Sequence, residues 1–360
     1  MDSFLYTAGP ARVLFETGGL AKAGQELSHL GVERALVLST PQQAQGAQAL
    51  AERLGTQAVG VFSDATMHTP VEVTDRAMAV VAEHNADGVV AFGGGSTIGL
   101  GKALALRTDL PQLAIPTTYA GSEMTPIIGQ TEGGKKTTQT TPKVLPETVI
   151  YDPALTYTLP SFIAGPSAVN ALAHAVEALY AENRNPVTSM QAEAAIAAIG
   201  RAIPGLMGET VNEAARADAF YGAWLAGTCL ASVGMAIHHK ICHTLGGSFD
   251  LNHADIHCLM IPYTAGFNRD HAPDAMAAIA RALQVEDPIT GLFDLMQQAA
   301  GKTDLKSFGL SLADIDHAAD LAVERAYYNP RPVTRDDVRT MLLAAFDGAH
   351  PDAAPQKGAA

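Results

Sequence analysis

The chain has 360 residues, 48% of them hydrophobic and 17% charged, and a formal net charge of −14. That composition belongs to a folded globular protein rather than a disordered one, and the length suggests about two domains. The negative charge disfavours nucleic acid and anionic membranes as partners, so any anionic ligand must be met by a local positive pocket.

Residues 1 to 16 read as two short strands, Phe4 to Thr7 and Arg12 to Phe15, across a Gly9-Pro10 turn. No basic segment followed by an apolar stretch opens the chain, and its three cysteines, Cys229, Cys242 and Cys258, form no CxxC pair. Both features predict a cytoplasmic protein with reduced thiols. After a helix at about Leu20 to Leu30, apolar runs at Ala35 to Leu38, Ala58 to Phe62, Val89 to Phe92 and Leu113 to Ile115 alternate with helical patterns. Those helices fall near Gln42 to Leu54, Val71 to His84 and Thr97 to Leu106. Continuous rather than alternating apolar runs suit strands covered on both faces, so an α/β domain with a parallel sheet is expected over residues 1–160.

Within that domain Val89 to Gly99 reads as a strand, a glycine turn and a helix start. The turn, with Gly94, Gly95 and Ser96, lets backbone amides at the positive end of a helix dipole approach a phosphate. It is neither the GxGxxG fingerprint nor a P-loop. The hydroxyl-rich loop after the next strand supplies Thr117, Thr118 and Ser122 at the carboxyl end of a parallel strand, where such sheets bind ligands. Ser39 ends the second run where an acidic residue would grip a ribose 2′-hydroxyl. With no acid there, both NADH and NADPH are expected to be usable. Residues 130 to 148 form a polar excursion with Lys135, Lys136 and Lys143, and Val149 to Tyr151 reads as a closing strand.

Breaks at Asp152-Pro153 and Leu159-Pro160 predict a domain boundary, followed by an all-helical domain over 161–348 and a frayed, disordered tail over 349–360. The helical patterns lie near Pro166 to Ala181, Val187 to Ile203, Asn212 to Ile237, Pro273 to Ala282, Ile289 to Ala299, Ala313 to Ala326 and Arg335 to Phe346. Ala219 to Ile237 carries no charge over nineteen residues, but it lacks flanking basic anchors and runs into a histidine cluster, so a buried core helix is expected and not a membrane span. That cluster, His238 to His257, holds five of the twelve histidines in twenty residues. His239 and His243 share a helix face by their spacing of four, and His253 and His257 repeat the spacing after the Gly246-Gly247 break. Asn170 and His174, again four apart and near Glu177, complete four polar side chains from three segments: Asn170, His174, His239 and His253.

Several motifs occur in order over nearly the whole chain. They are Gly93-Gly94-Gly95-Ser96, Pro116-Thr117-Thr118, Asp152-Pro153-Ala154-Leu155-Thr156, Asn170-x-x-x-His174-Ala175-x-Glu177-Ala178, and His239-x-x-x-His243-x-Leu245-Gly246 followed by His253. Together they resemble the iron-containing alcohol dehydrogenase superfamily. The resemblance implies a nucleotide-binding α/β domain, an all-helical domain and an active-site cleft between them. It also implies metal ligands at positions 170, 174, 239 and 253, of which the first is an aspartate in the family and Asn170 here. A neutral amide holds a divalent cation less firmly than a carboxylate.

That departure, together with His238 to Gly247 and Asn329-Pro330-Arg331-Pro332-Val333-Thr334, most closely resembles the maleylacetate reductase branch. The branch implies reduction of the carbon–carbon double bond of maleylacetate to 3-oxoadipate by NADH or NADPH in aromatic-compound degradation, with no metal expected. On this reading His243 is the proton donor or polariser, His174, His239 and His253 bind the ketone and a carboxylate, and Arg331 and Lys240 meet the dicarboxylate substrate. A homodimer is the default assembly. The rivals are an iron- or zinc-dependent alcohol dehydrogenase with Asn170 as a neutral ligand, an NAD-dependent lyase, and a non-catalytic metal or nucleotide binder.

Overall fold

The computed structural model describes residues 4, 6, 12–324 and 327–353. The chain divides into two compact units, Thr7–Leu159, and Pro160–Ala360 with Met1–Tyr6. The expected first strand, Phe4 to Thr7, and the end of the helix expected at Ala313 to Ala326 fall partly outside the described residues.

The first unit runs β1 (Arg12–Phe15), α1 (Ala23–His29), β2 (Ala35–Leu38), α2 (Ala44–Leu54), β3 (Ala58–Phe62), α3 (Val71–His84), β4 (Gly88–Gly93), α4 (Gly95–Thr108) and β5 (Gln112–Pro116). A hairpin of β6 (Ile127–Glu132) and β7 (Lys135–Thr140) follows, then β8 (Thr148–Tyr151). Among the described residues six strands form one sheet in the order β1-β8-β5-β4-β2-β3, every pair parallel. The expected parallel α/β sheet is therefore present. Although the strands read as unbroken apolar runs, alternate residues divide between two layers. Val37, Val90 and Phe92 pack against Leu27 of α1 and Ala47 and Leu50 of α2. Leu36, Leu38 and Val89 pack against Val73, Ala77 and Val81 of α3 and Leu100 and Leu104 of α4.

The polar excursion is a hairpin rather than a loop. β6 and β7 pair antiparallel from Ile127↔Thr140 to Glu132↔Lys135, across Gly133 (φ 54°) and Gly134 (φ 78°). Two successive positive φ angles make the tight turn whose twist matches paired strands, and glycine adopts them without a Cβ penalty. The strands escape a search for hydrophobic alternation because, beyond Ile127 and Ile128, they carry only glycine and polar residues.

Asp152 does more than break the chain. One carboxylate oxygen accepts from the amides of Gly18 at 2.9 Å and Ala154 at 3.1 Å, and the other accepts from Leu20 at 3.0 Å. It thereby ties the end of β8 to the turn after β1.

The second unit is helical among its described residues: α5 (Ser161–Ala178), α6 (Pro186–Leu206), α7 (Glu213–Ser232), α8 (Ile237–Phe249), α9 (His253–Asn268), α10 (Pro273–Leu283), α11 (Pro288–Ala299), α12 (Leu312–Val323) and α13 (Arg335–Asp347). Helix α5 begins five residues before Pro166, because a proline near a helix start removes only one early hydrogen bond. The uncharged run from Ala219 to Ile237 is not one helix. It breaks after Ser232, and α8 turns 98° from α7, so no single helix among the described residues is long and apolar enough to cross a membrane. Gly246 and Gly247 lie inside α8, and the break falls instead at Asp250 to Asn252, with Asp250 at a left-handed φ of 52°. Residues 349–353 are not frayed: Asp352 pairs with Arg269 at 2.9 Å and the His350 ring lies 4.8 Å from that of Phe293. The rest of the expected tail, 354–360, lies outside the described residues.

Asp152→Ala leaves three backbone amides without their acceptor and is expected to lower stability by about 3 kcal/mol. A urea-unfolding midpoint equal to that of the wild type would show the carboxylate to be dispensable.

Candidate active site

Helices α5, α8 and α9 place the histidines together. The arrangement starts from Glu177, which is fully buried on α5. Helix α8 has no side-chain cap of its own. Glu177 supplies one from a distance, accepting from the amide of Ala236 at 2.8 Å and of His238 at 2.7 Å. A carboxylate at a helix N-terminus satisfies amides that have no partner within the helix and meets the positive end of its dipole. The same carboxylate takes Nδ1 of His239 at 2.6 Å, and Nε2 of His239 meets Nδ1 of His174 at 2.8 Å. A chain Glu177–His239–His174 therefore crosses the helical core. Asn170, one turn before His174, is 4% exposed, and its Oδ1 has no hydrogen-bond partner.

A second chain runs beside the first. Nδ1 of His238 lies 2.9 Å from the Thr264 hydroxyl, and Nε2 of His238 lies 3.0 Å from Nδ1 of His257. His243 and His253 stand on the exposed side, stacked with ring centroids 5.7 Å apart at 17°, and Nδ1 of His243 is 3.3 Å from the Tyr327 hydroxyl. Asn252 fixes His253 as the first residue of α9 by accepting from the amides of Ala254 at 3.0 Å and Asp255 at 3.3 Å.

Burial dominates the electrostatics. It raises the Glu177 carboxyl to about 7 against the pull of the backbone amides of Ala236, His238 and His239, and lowers His239 to about 3. Burial, followed by the neighbouring imidazoles, drives His238 and His257 well below the ordinary range. His238, His239 and His257 are therefore neutral near pH 7, and the exposed pair, His243 and His253, faces solvent.

The four positions expected to act together are brought to one place, with a correction for His239. Both of its nitrogens are engaged, with Glu177 and His174, and it is 3% exposed, so its ring has no nitrogen left over to meet a ligand. Lys240 is half-buried on α8, one turn before His243. Arg331 is not brought to the cluster. Its guanidinium lies 4.1 Å from the Phe267 ring centre and pairs with Asp337 at 3.0 Å. Phe267 stands ten residues beyond His257 on α9, about 15 Å along the helix axis. His238, His257, Thr264 and Tyr327 belong to the site without having been assigned roles from the sequence. The spacing of four from His253 to His257 is a usable signal, whereas nothing local to Tyr327 distinguishes it.

In the α/β unit the expected cofactor residues gather at the carboxyl ends of β2, β4 and β5. The chain leaves β2 towards β3 and leaves β4 towards β5, so the switch point of the sheet lies between β2 and β4. Gly94 caps α4, and a Cβ there would lie 2.9 Å from Oγ1 of Thr118, so the turn and the loop pack directly. Thr117 accepts from Gln43 at 2.7 Å. Ser39 is buried and its hydroxyl donates to Ser63 at 3.0 Å. Lys102, fully buried on α4, donates to the carbonyls of Ser122 at 2.6 Å, Thr125 at 2.8 Å and Ile127 at 2.8 Å, and to Oγ1 of Thr125 at 3.0 Å. Burial lowers it to about 7 despite nearby Glu123.

Two family models match in sequence order: "Iron-containing alcohol dehydrogenase" over residues 10–153 and "Fe-containing alcohol dehydrogenase family, C-terminal" over residues 165–346. The chain belongs to the iron-containing alcohol dehydrogenase family. It is 52% identical to a maleylacetate reductase of Rhizobium sp. strain MTP-10005, covering 98% of this chain and all of that protein. It is 49% identical to a maleylacetate reductase of Burkholderia cepacia over the same shares. The crystal structure of maleylacetate reductase from Agrobacterium tumefaciens superposes with a TM-score of 0.94 at 50% identity, covering 98% of this chain and 100% of that one.

The family's name implies a metal, and its four ligand positions do not fit one here. Two nitrogens bound tetrahedrally at about 2.05 Å from a zinc ion stand about 3.3 Å apart. Those of His174 and His239 are 2.8 Å apart, sharing a proton, and the fourth group is the Asn170 amide.

The three buried imidazoles and Glu177 predict acid lability with a definite sign. Between about pH 4.5 and 6.5 the unfolded chain protonates His238, His239 and His257, which the folded chain keeps neutral. Over the same range the folded chain holds one proton on Glu177 that the unfolded chain releases. The unfolded state binds more protons, so stability falls as pH drops through 6.5, by about 1.4 kcal/mol per pH unit for each net proton. A urea midpoint higher at pH 5.5 than at pH 7.5 would contradict this.

Proposed function

We propose that this chain is an NAD(P)H-dependent maleylacetate reductase that works without a bound metal. The observation that carries the reading is the 2.8 Å contact between His174 and His239 beside the neutral Asn170 amide, in a chain about half identical to maleylacetate reductases over its length. The reduced nicotinamide delivers hydride to the alkene carbon β to the ketone. The alkene electron pair shifts to make an enolate, and a proton then goes to the carbon α to the ketone, giving 3-oxoadipate.

The residues divide these tasks. His243, exposed and in contact with the Tyr327 hydroxyl, donates the proton, and His253 stacked on it meets a substrate carboxylate. His174, steadied through His239 by Glu177, polarises the ketone oxygen as charge develops there. Lys240 adds positive charge for the dianion. The glycine turn with Gly95 and Ser96 holds the dinucleotide phosphates at the start of α4, and the loop with Thr117, Thr118 and Ser122 lines the same site. Lys102 positions that loop through its four hydrogen bonds. Absence of an acid beyond β2 supports use of both NADH and NADPH. The reading also takes the enzyme to be a cytoplasmic homodimer, in line with three buried cysteines that form no disulfide.

Exhaustively chelated enzyme is expected to reduce maleylacetate at an undiminished rate. A rate abolished by chelation and restored by zinc or iron overturns the metal-free reading. His243→Ala lowers kcat by roughly 100-fold or more if it is the acid, with unchanged thermal stability; near-normal turnover removes it from that role. Lys102→Met loses anchoring hydrogen bonds of about 1–3 kcal/mol, and so raises the KM for NADH roughly tenfold while changing kcat less. An unaltered KM would detach Lys102 from cofactor binding.

A further inference from the structure

Helices α8 and α9 bring a second set of imidazoles together that shares only His253 with the family's metal positions. The ligand nitrogens of His243, His253 and His257 all lie within 4.8 Å of one another. The rings of His253 and His257 are 4.2 Å apart and those of His243 and His253 are stacked. Two of the three are exposed and one, His257, forms a buried floor.

The protonation of His257 follows from the hydrogen bonds behind it. The Thr264 hydroxyl is within reach of the carbonyls of Met260 at 3.1 Å and Ile261 at 3.2 Å, so its proton is used there and its oxygen accepts from Nδ1 of His238. Nε2 of His238 is then an acceptor, and Nδ1 of His257 must donate to it. The lone pair left on Nε2 of His257 is buried and has no partner. Metal-binding histidines are held in this way: one nitrogen donates backward and fixes the ring, and the other presents its lone pair forward.

We propose that His243, His253 and His257 form a binding site for a single borderline divalent cation, such as Co²⁺, Ni²⁺ or Zn²⁺, with its fourth position open to water or a carboxylate. Three imidazoles with an open position suit these ions, and the two exposed rings flank the fixed one. A competing set, His238, Cys242 and His257, is wholly buried, and its thiol, which burial holds protonated, would have to ionise. An ion on His243 takes the lone pair that the reductase reading uses for proton transfer, so occupancy inhibits. That consequence rests on the proposed role of His243, and the binding does not.

The test is a titration of chelator-treated full-length enzyme with CoCl₂, followed by visible absorption, by metal content after gel filtration and by turnover. The expected result is one Co²⁺ per chain in a tetrahedral spectrum without a thiolate charge-transfer band, with activity lost over the same concentrations and recovered on chelation. His257→Gln and, at an exposed position, His253→Asn each weaken binding tenfold or more, while His174→Gln leaves it unchanged. Binding that survives both His257→Gln and His253→Asn overturns the site, as does a thiolate band that Cys242→Ala removes. Cobalt bound as described with turnover intact supports the site and counts against His243 as the proton donor.

Discussion

One buried carboxylate organises the helical unit. Glu177 gives up water entirely, and its return is two backbone amides at the start of α8 and the imidazole of His239. Burial of an ion in a protein interior is tolerated only with such partners. Because the acceptor sits on α5 and the amides on α8, the bond holds the histidine-bearing helix at a defined depth and rotation against its neighbour. His239 cannot turn without losing the carboxylate, and His174 cannot turn without losing His239. A helix that lacks a cap of its own thus acquires one that also aligns the site.

The replacement of a carboxylate by Asn170 makes chemical sense within that frame. A carboxylate beside an ion is paired by the ion's charge; without an ion, a carboxylate at this depth would be a buried charge with no cation to pair it. An amide carries no such penalty, and the nitrogens that would have held the ion instead share a proton at 2.8 Å. On the proposed metal-free reading, charge stabilisation falls to imidazoles, two of which, His243 and His253, reach solvent. Lys102 plays a comparable part in the α/β unit, where a buried ammonium gathers three carbonyls of the segment from Ser122 to Ile127 into one shape.

Much of this was legible in the residues. The apolar runs from Ala35 to Leu38 and from Ala58 to Phe62, and the helix from Val71 to His84, coincide with the observed elements, because period and punctuation are local properties. The motifs about Gly94, His174, His239 and His253 carried the family. The hairpin at Gly133-Gly134 was missed because its strands, apart from Ile127 and Ile128, are made of glycine and polar residues, so the turn itself was the main signal. The break between α7 and α8 was missed because the apolar pattern runs straight through it. Ser39 and Arg331 were placed by motif position, and their partners, Ser63 in one case and Phe267 and Asp337 in the other, were not legible from it.

The alternation of strands and helices up to β5, the class of fold and the set of histidines available for chemistry were determined by the sequence alone, since each depends on spacing along the chain. Only the tertiary structure decided which ring nitrogens are engaged, and therefore which histidines are held in the interior and which face solvent. A hydrogen bond between residues sixty positions apart, as from Glu177 to His239, depends on how helices pack, and no local pattern encodes it.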